Sequence, residues 1–170
     1  GNDELGPDAS LAGRNLGQDF TTKDGWRMYH GETVPGFPAH PHRGFETVTV
    51  VLNGFIDHSD SHGAAGRYGN GDVQWMTAAS GVVHEELHEQ AWAKEGGTLQ
   101  MIQLWVNLPR SLKMSTPRYQ TVLNADIPQS NLGGPGGVIR VIAGEYEGLK
   151  GPAMTFTPVH LYDLRLVPGH

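Results

Sequence analysis

From Trp26 onward the chain is assembled from short runs rich in β-branched and aromatic residues, each closed by Gly, Pro, Asn or Asp. The runs are WRMYH (26–30), FETVTVVLNGF (45–55), DVQWMTAAS (72–80), LQMIQLWVNL (99–108), VIRVIAG (138–144) and VHLYDLRLV (159–167). Such runs read as strands. In the fourth, Ile102, Leu104, Val106 and Leu108 alternate with positions that include Gln103 and Asn107, which is the strand period. The 24 Gly and 11 Pro follow no repeat, so they mark many turns, among them Asn53-Gly54 and Asn70-Gly71. Helical signals are confined to Glu89–Glu95 and to a KMSTPRY segment interrupted by Pro117. The pattern predicts an all-β chain with few helices, most simply a sandwich or a closed jelly roll.

At 170 residues the chain suffices for one well-packed domain. Residues 1–25 are polar and Gly-rich and read as an arm; 26–130 carry the main strands; 131–170 open on the linker NLGGPGG and add further strands. The net charge of -6 argues against direct nucleic-acid binding through a basic surface. Without cysteine there is no disulfide framework, thiolate metal site or cysteine nucleophile. No apolar run has membrane-spanning length and GNDELGPDAS is no secretory signal, so the expectation is an intracellular, cytoplasmic protein without membrane association.

Histidine is the unusual component, with nine residues in clusters. His40 and His42 stand at i and i+2 around Pro41, so in an extended segment both imidazoles share one face, as chelation of one ion requires. Pro41 cannot donate to a ladder and places that segment at a strand edge or end. GVVHEELHE offers His84, Glu86 and His88 at the same spacing. Two such sets on neighbouring strands could meet around one cation. His58 and His62 sit in a polar hairpin region and are expected to be solvated, while His30, His160 and His170 lack a partner at chelating spacing. Trp75, Trp105 and Phe45 are expected in the core, with a pocket for an aromatic ligand as the alternative.

HPHRGFETVT (40–49), GDVQWMTAASGVVHEE (71–86) and LWVNLP (104–109) resemble the pirin family, a branch of the cupins. KMSTPRYQ (113–120) and AGEYEGLKGP (143–152) extend the resemblance over nearly all of the chain from Trp26. It implies a double-stranded β-helix holding one iron ion by three His and one Glu, here His40, His42, His84 and Glu86. In that light residues 26–130 are the metal-binding cupin domain and 131–170 the start of a second, truncated one. In the broader cupin pattern Glu46 occupies a ligand position; among pirins it is expected to orient the site or to pair with Arg43. His88 is the reserve ligand, because HEELHEQ departs from the usual pirin wording.

Such a ligand set favours Fe(II) by resemblance, and Zn, Mn, Ni, Co or Cu would also fit it. The implied activity is quercetin 2,3-dioxygenation, with the metal holding the flavonol 3-oxygen, Glu86 accepting its proton, and carbon monoxide released. The substrate would be a small aromatic molecule. The alternative is a non-enzymatic, iron-dependent redox sensor that binds a protein partner such as a transcription factor; a Zn-dependent sugar isomerase or a small-molecule-binding cupin is the third reading. The apolar faces of the last strands make a two-fold homodimer the expected assembly.

Overall fold

The computed structural model describes residues 36–169 together with Thr22–Lys23 (β1) and Trp26–Arg27 (β2). The rest of the expected N-terminal arm, and Met28, Tyr29 and His30 of the first expected strand, lie outside the described residues. The central strands are β3 Gly36–His42, β4 Phe45–Asn53, β5 Phe55–Asp60, β6 Ala65–Gly69, β7 Val73–Thr77, β8 Val82–His88, β9 Gln100–Asn107 and β10 Arg118–Val122. They form two antiparallel sheets, ordered β3-β8-β5-β6 and β10-β7-β4-β9. Side chains meet between the sheets, giving the closed jelly roll that the alternation of short strands and turns anticipates.

Asn53-Gly54 and Asn70-Gly71 do not close hairpins. β4 pairs with β7 and β9, whereas β5 pairs with β6 and β8, so each Asn-Gly marks a corner where the chain leaves one sheet for the other. At the second corner Asn70 (φ 48°) and Gly71 (φ 101°) both have positive φ, which Asn tolerates and Gly adopts freely. β6 and β10 carry AGRYG and RYQTV, sequences too polar to announce themselves as strands. A single α-helix among the described residues, α1 Gln90–Glu95, falls where the helical signal stood. The Glu89 carboxylate caps it by accepting from the amides of Ala91 and Trp92. No described helix is long and apolar enough to cross a membrane.

Residues beyond 123 add β11 Gln129–Asn131, β12 Gly137–Ala143, the small ladder of β13 Glu145–Tyr146 with β14 Leu149–Lys150, and β15 Leu161–Leu166. β12 pairs with β11 and β15 and lies against the outward face of the β10-β7-β4-β9 sheet. The largest apolar cluster forms there, from Val48, Val50, Val73, Trp75, Val122, Ile127, Ile142 and Ala143, and so joins residues on both sides of position 130. Arg140 is fully buried at the same seam. It donates to Asp163 at 2.7 Å, and to Asn124 Oδ1 and the Gly71 carbonyl at 2.6 Å each. One face of the C-terminal strands therefore folds back onto the barrel, while Leu164 and Leu166 remain exposed. Ile102 and Leu104, the apolar positions of β9, also lie on the outward side and are largely uncovered.

Candidate metal centre

β3 is an edge strand among the described strands, as Pro41 requires, and pairs only with β8. In that register His40 lies opposite His84, with His42 two residues along. The strand period carries all three imidazoles to the inward face. His40 Nε2 stands 3.1 Å from His42 Nε2 and 3.0 Å from His84 Nε2. Three ring nitrogens bound to one ion at about 2.0–2.1 Å would stand roughly 3 Å apart, so the donor set fits a transition-metal ion. Burial, followed by the neighbouring His40, pushes His42 down to about 4. Burial, followed by His40, His42 and His58, pushes His84 down to about 3. Both rings are therefore neutral at physiological pH and offer lone pairs.

Glu86 lies on the same inward face of β8, fully buried, but in a second grouping with His84 and His58. Its Oε1 accepts from the Tyr68 hydroxyl at 2.9 Å and from Thr49 at 3.5 Å, and its Oε2 accepts from Gln103 Nε2 at 2.8 Å. The expected four-residue set thus resolves into three imidazoles around one point and a carboxylate beside them, with His84 common to both groupings. Burial and the adjacent Glu86 push the Tyr68 phenol far up, so it stays a hydrogen-bond donor.

The residues expected to orient the site are placed differently. Arg43 is exposed and its Nη2 contacts Met114 Sδ at 3.3 Å. Glu46 is buried with Oε1 accepting from Thr77 at 2.6 Å, and it shares the parity of Val48 and Val50, which face away from the histidines. Gly44, with φ of 81°, turns the chain between β3 and β4 and reverses the parity that a continuous strand would have kept. Arg43 and Glu46 therefore neither pair with each other nor reach the imidazoles. His88 follows Glu86 in the strand period but packs its ring against Trp92, outside both groupings, and burial lowers its pKa.

His58 was expected in solvent and is instead buried at 3% exposure, inside the barrel. The signal was available: Ile56, His58 and Asp60 share one face of β5 at the strand period, opposite His88, Glu86 and His84 of β8. His62 is exposed on the hairpin, with its Nε2 3.0 Å from the Gly81 carbonyl. Gln103 was visible only as a polar position in an alternating strand, and Tyr68 not at all. His170 lies outside the described residues. Burial acts to raise the Asp60 carboxyl, but hydrogen bonds from His58 and from the amides of His62 and Ala64 outweigh it and hold it below its usual range.

Trp75 is core, fully buried in the outward cluster. Trp105 is 66% exposed and stands at the mouth of the site. Its ring lies 4.8 Å from Phe45 and meets His42 edge-on at 5.4 Å. Phe45 in turn meets His42 at 5.0 Å, so an aromatic wall adjoins the imidazole cluster.

The model of the family described as Pirin matches residues 10–106, more than half of the chain. A Pseudomonas aeruginosa protein named "Putative quercetin 2,3-dioxygenase PA2418" is 58% identical over 134 residues, covering 79% of this chain and 47% of the relative. A tomato (Solanum lycopersicum) protein named "Pirin-like protein" is 46% identical over 166 residues, covering 95% of this chain and 55% of its own. A crystal structure of a quercetin 2,3-dioxygenase from Acinetobacter baumannii aligns with a TM-score of 0.77 at 50% identity, covering 81% of this chain and 48% of that one. The chain spans about half the length of the relatives it matches. With its all-β jelly roll and its inward histidine cluster, the chain belongs to the pirin family of the cupin superfamily.

Proposed function

We propose that this chain holds one Fe(II) ion through His40, His42 and His84, with Glu86 as the fourth ligand or the adjacent base, and that the site serves quercetin 2,3-dioxygenation. The observation that carries the reading is the convergence of three Nε2 atoms, two pairs of them 3.0–3.1 Å apart, beside a hydrogen-bonded buried carboxylate. A bound divalent ion would supply Lewis acidity to a substrate oxygen and the means of engaging dioxygen. The protein's own contribution is binding, orientation and one proton transfer. Trp105 and Phe45 offer flat apolar surface for the aromatic plane of a flavonol. Glu86 is held in place by Tyr68 and Gln103 and accepts the 3-hydroxyl proton of that substrate. The named activities of the P. aeruginosa and A. baumannii relatives support this substrate class.

The test is elemental analysis of the purified chain, followed by flavonol turnover after loading with each of Fe, Mn, Ni, Co, Cu and Zn. One ion per chain is expected, with oxygen consumed and carbon monoxide released on addition of quercetin. A protein that binds no metal would overturn the site. A loaded protein, inert toward flavonols with every metal and at full relative length, would overturn the activity alone.

A further inference from the structure

One buried polar group beside the histidine cluster belongs to none of the roles assigned so far. His58 lies on the inward face of β5, and every polar atom of its ring has a partner. Its Nε2 stands 3.2 Å from Asp60 Oδ2, in a hydrogen-bonded pair whose side chains are 0% and 3% exposed. The other Asp60 oxygen accepts from the amides of His62 (2.8 Å) and Ala64 (3.1 Å), which fixes the carboxylate. His58 Nδ1 stands 2.7 Å from Gln74 Nε2 and 3.3 Å from His84 Nδ1. Tyr119 stacks on the ring with centroids 4.7 Å apart and an interplanar angle of 22°.

For a neutral His58 the donor and acceptor inventory gives one assignment. Asp60 can only accept, so His58 Nε2 carries a hydrogen. With its one ring hydrogen on Nε2, a neutral His58 has a bare Nδ1, which accepts from the Gln74 side-chain amide at 2.7 Å. His84 Nδ1 faces that same lone pair and is satisfied only as a donor. A hydrogen on His84 Nδ1 leaves His84 Nε2 bare, and Nε2 is the atom that meets His40.

We propose that His58 is a positioning residue: held by Asp60, Gln74 and Tyr119, it fixes His84 in the Nδ1–H tautomer and so presents His84 Nε2 to the metal. An isolated neutral imidazole divides between two tautomers and rotates; a ligand that is already oriented loses neither population nor freedom on binding. The arrangement is an acid–imidazole–imidazole series, one link longer than the carboxylate–histidine pairs that orient many metal ligands. The proposal rests on His84 being a ligand.

The test uses the metal-free and the metal-titrated chain. Nitrogen-15 shifts of the histidines in the metal-free wild type should show His84 protonated at Nδ1 and bare at Nε2. His58→Ala should remove that preference and weaken Co(II) affinity about 10- to 100-fold, with the Co(II) absorption spectrum altered. His58→Asn should restore much of both, because the amide oxygen can take the place of Nδ1, where Gln74 and His84 each demand an acceptor. An Nε2–H tautomer in the metal-free wild type would overturn the proposal even if both variants failed to fold. So would unchanged affinity in a folded His58→Ala protein, or a second Co(II) equivalent that disappears with His58, which would make His58 a ligand together with Glu86. Failure of the wild type to bind any metal would instead remove the underlying reading.

Discussion

The two faces of the β10-β7-β4-β9 sheet are built on opposite principles. Its inward face carries Thr49, Gln74 and Gln103, each hydrogen-bonded to a group around the histidines. Its outward face carries Val48, Val50, Val73 and Trp75, packed against Ile142 and Ala143 of the C-terminal strands. Adjacent residues of one strand thus serve separate ends. A barrel interior filled with hydrogen-bonded polar groups gains little from the hydrophobic effect, and the smaller inward clusters around Val51 and Met76 supply only part of what is needed. Most of the apolar burial that secures the barrel lies outside it, so stability and metal binding should separate by strand parity.

The largest expected effect is on the outward face. Trp75→Ala should cost about 3–5 kcal/mol of stability, read as a lowered denaturation midpoint, while the protein that remains folded keeps its metal affinity. Loss of metal affinity on the same scale would erase the distinction between the faces. On the inward face, His40→Ala or His84→Ala should lower metal affinity at least ~100-fold, or ~2.7 kcal/mol, with the barrel intact by circular dichroism. Full stoichiometric binding in either variant would count against the site.

Glu46 and Glu86, both buried, sharpen the contrast, because they sit on opposite sides of the wall. Glu86→Gln should weaken Fe(II) binding about 10- to 100-fold, and Glu46→Gln, which touches Thr77 and faces away, by much less. The reverse order in a titration would show that Glu46 reaches the ion after all. A more gradual effect is expected from pH. His42 and His84 titrate near 4 and 3 when folded, against 6.5 for the free side chain. Between 6.5 and those values the unfolded chain takes up more protons, so stability of the metal-free protein is whole above about 6.5 and falls as the pH drops through that window. A melting temperature that stays flat from pH 7 to pH 5 would contradict it.

Much of this plan is legible in the residue order, and the rest fails for identifiable reasons. The i, i+2 spacing of His40 with His42 and of His84 with Glu86 is enough to place four side chains on inward faces, because the strand period is local geometry. Pro41 announces an edge strand, which β3 is among the described strands. Parity across a turn is another matter: one residue at positive φ, Gly44, moves Glu46 from the histidine side to the core side. HSDSHG reads as a wet hairpin tip, which hides His58; its parity with Ile56 is the local sign of burial, and the pairing of β5 with β8 places the base of the hairpin inside. Asn-Gly corners look alike in sequence whether they close a hairpin or pass between sheets, since the local backbone demand is the same. The share of the β9 side chains between water and the site is likewise set by neighbours, which is how Trp105 leaves the core that Trp75 enters.

The edge position of β3 has a consequence for kinetics. His40 and His42 ride on a strand paired to a single described neighbour, with a proline between them and a ladder interrupted between Phe37 and His40. Such a strand opens locally at lower free energy than one paired on both sides. An ion held jointly by β3 and β8 would act as a rivet across that one seam, and each is then the other's gatekeeper. The ion would leave no faster than β3 lifts away, and β3 would lift less often while the ion is there. Amide exchange along β3 and metal release into a chelator should therefore slow together, with the two-sided strands β4 and β7 as the unaffected reference.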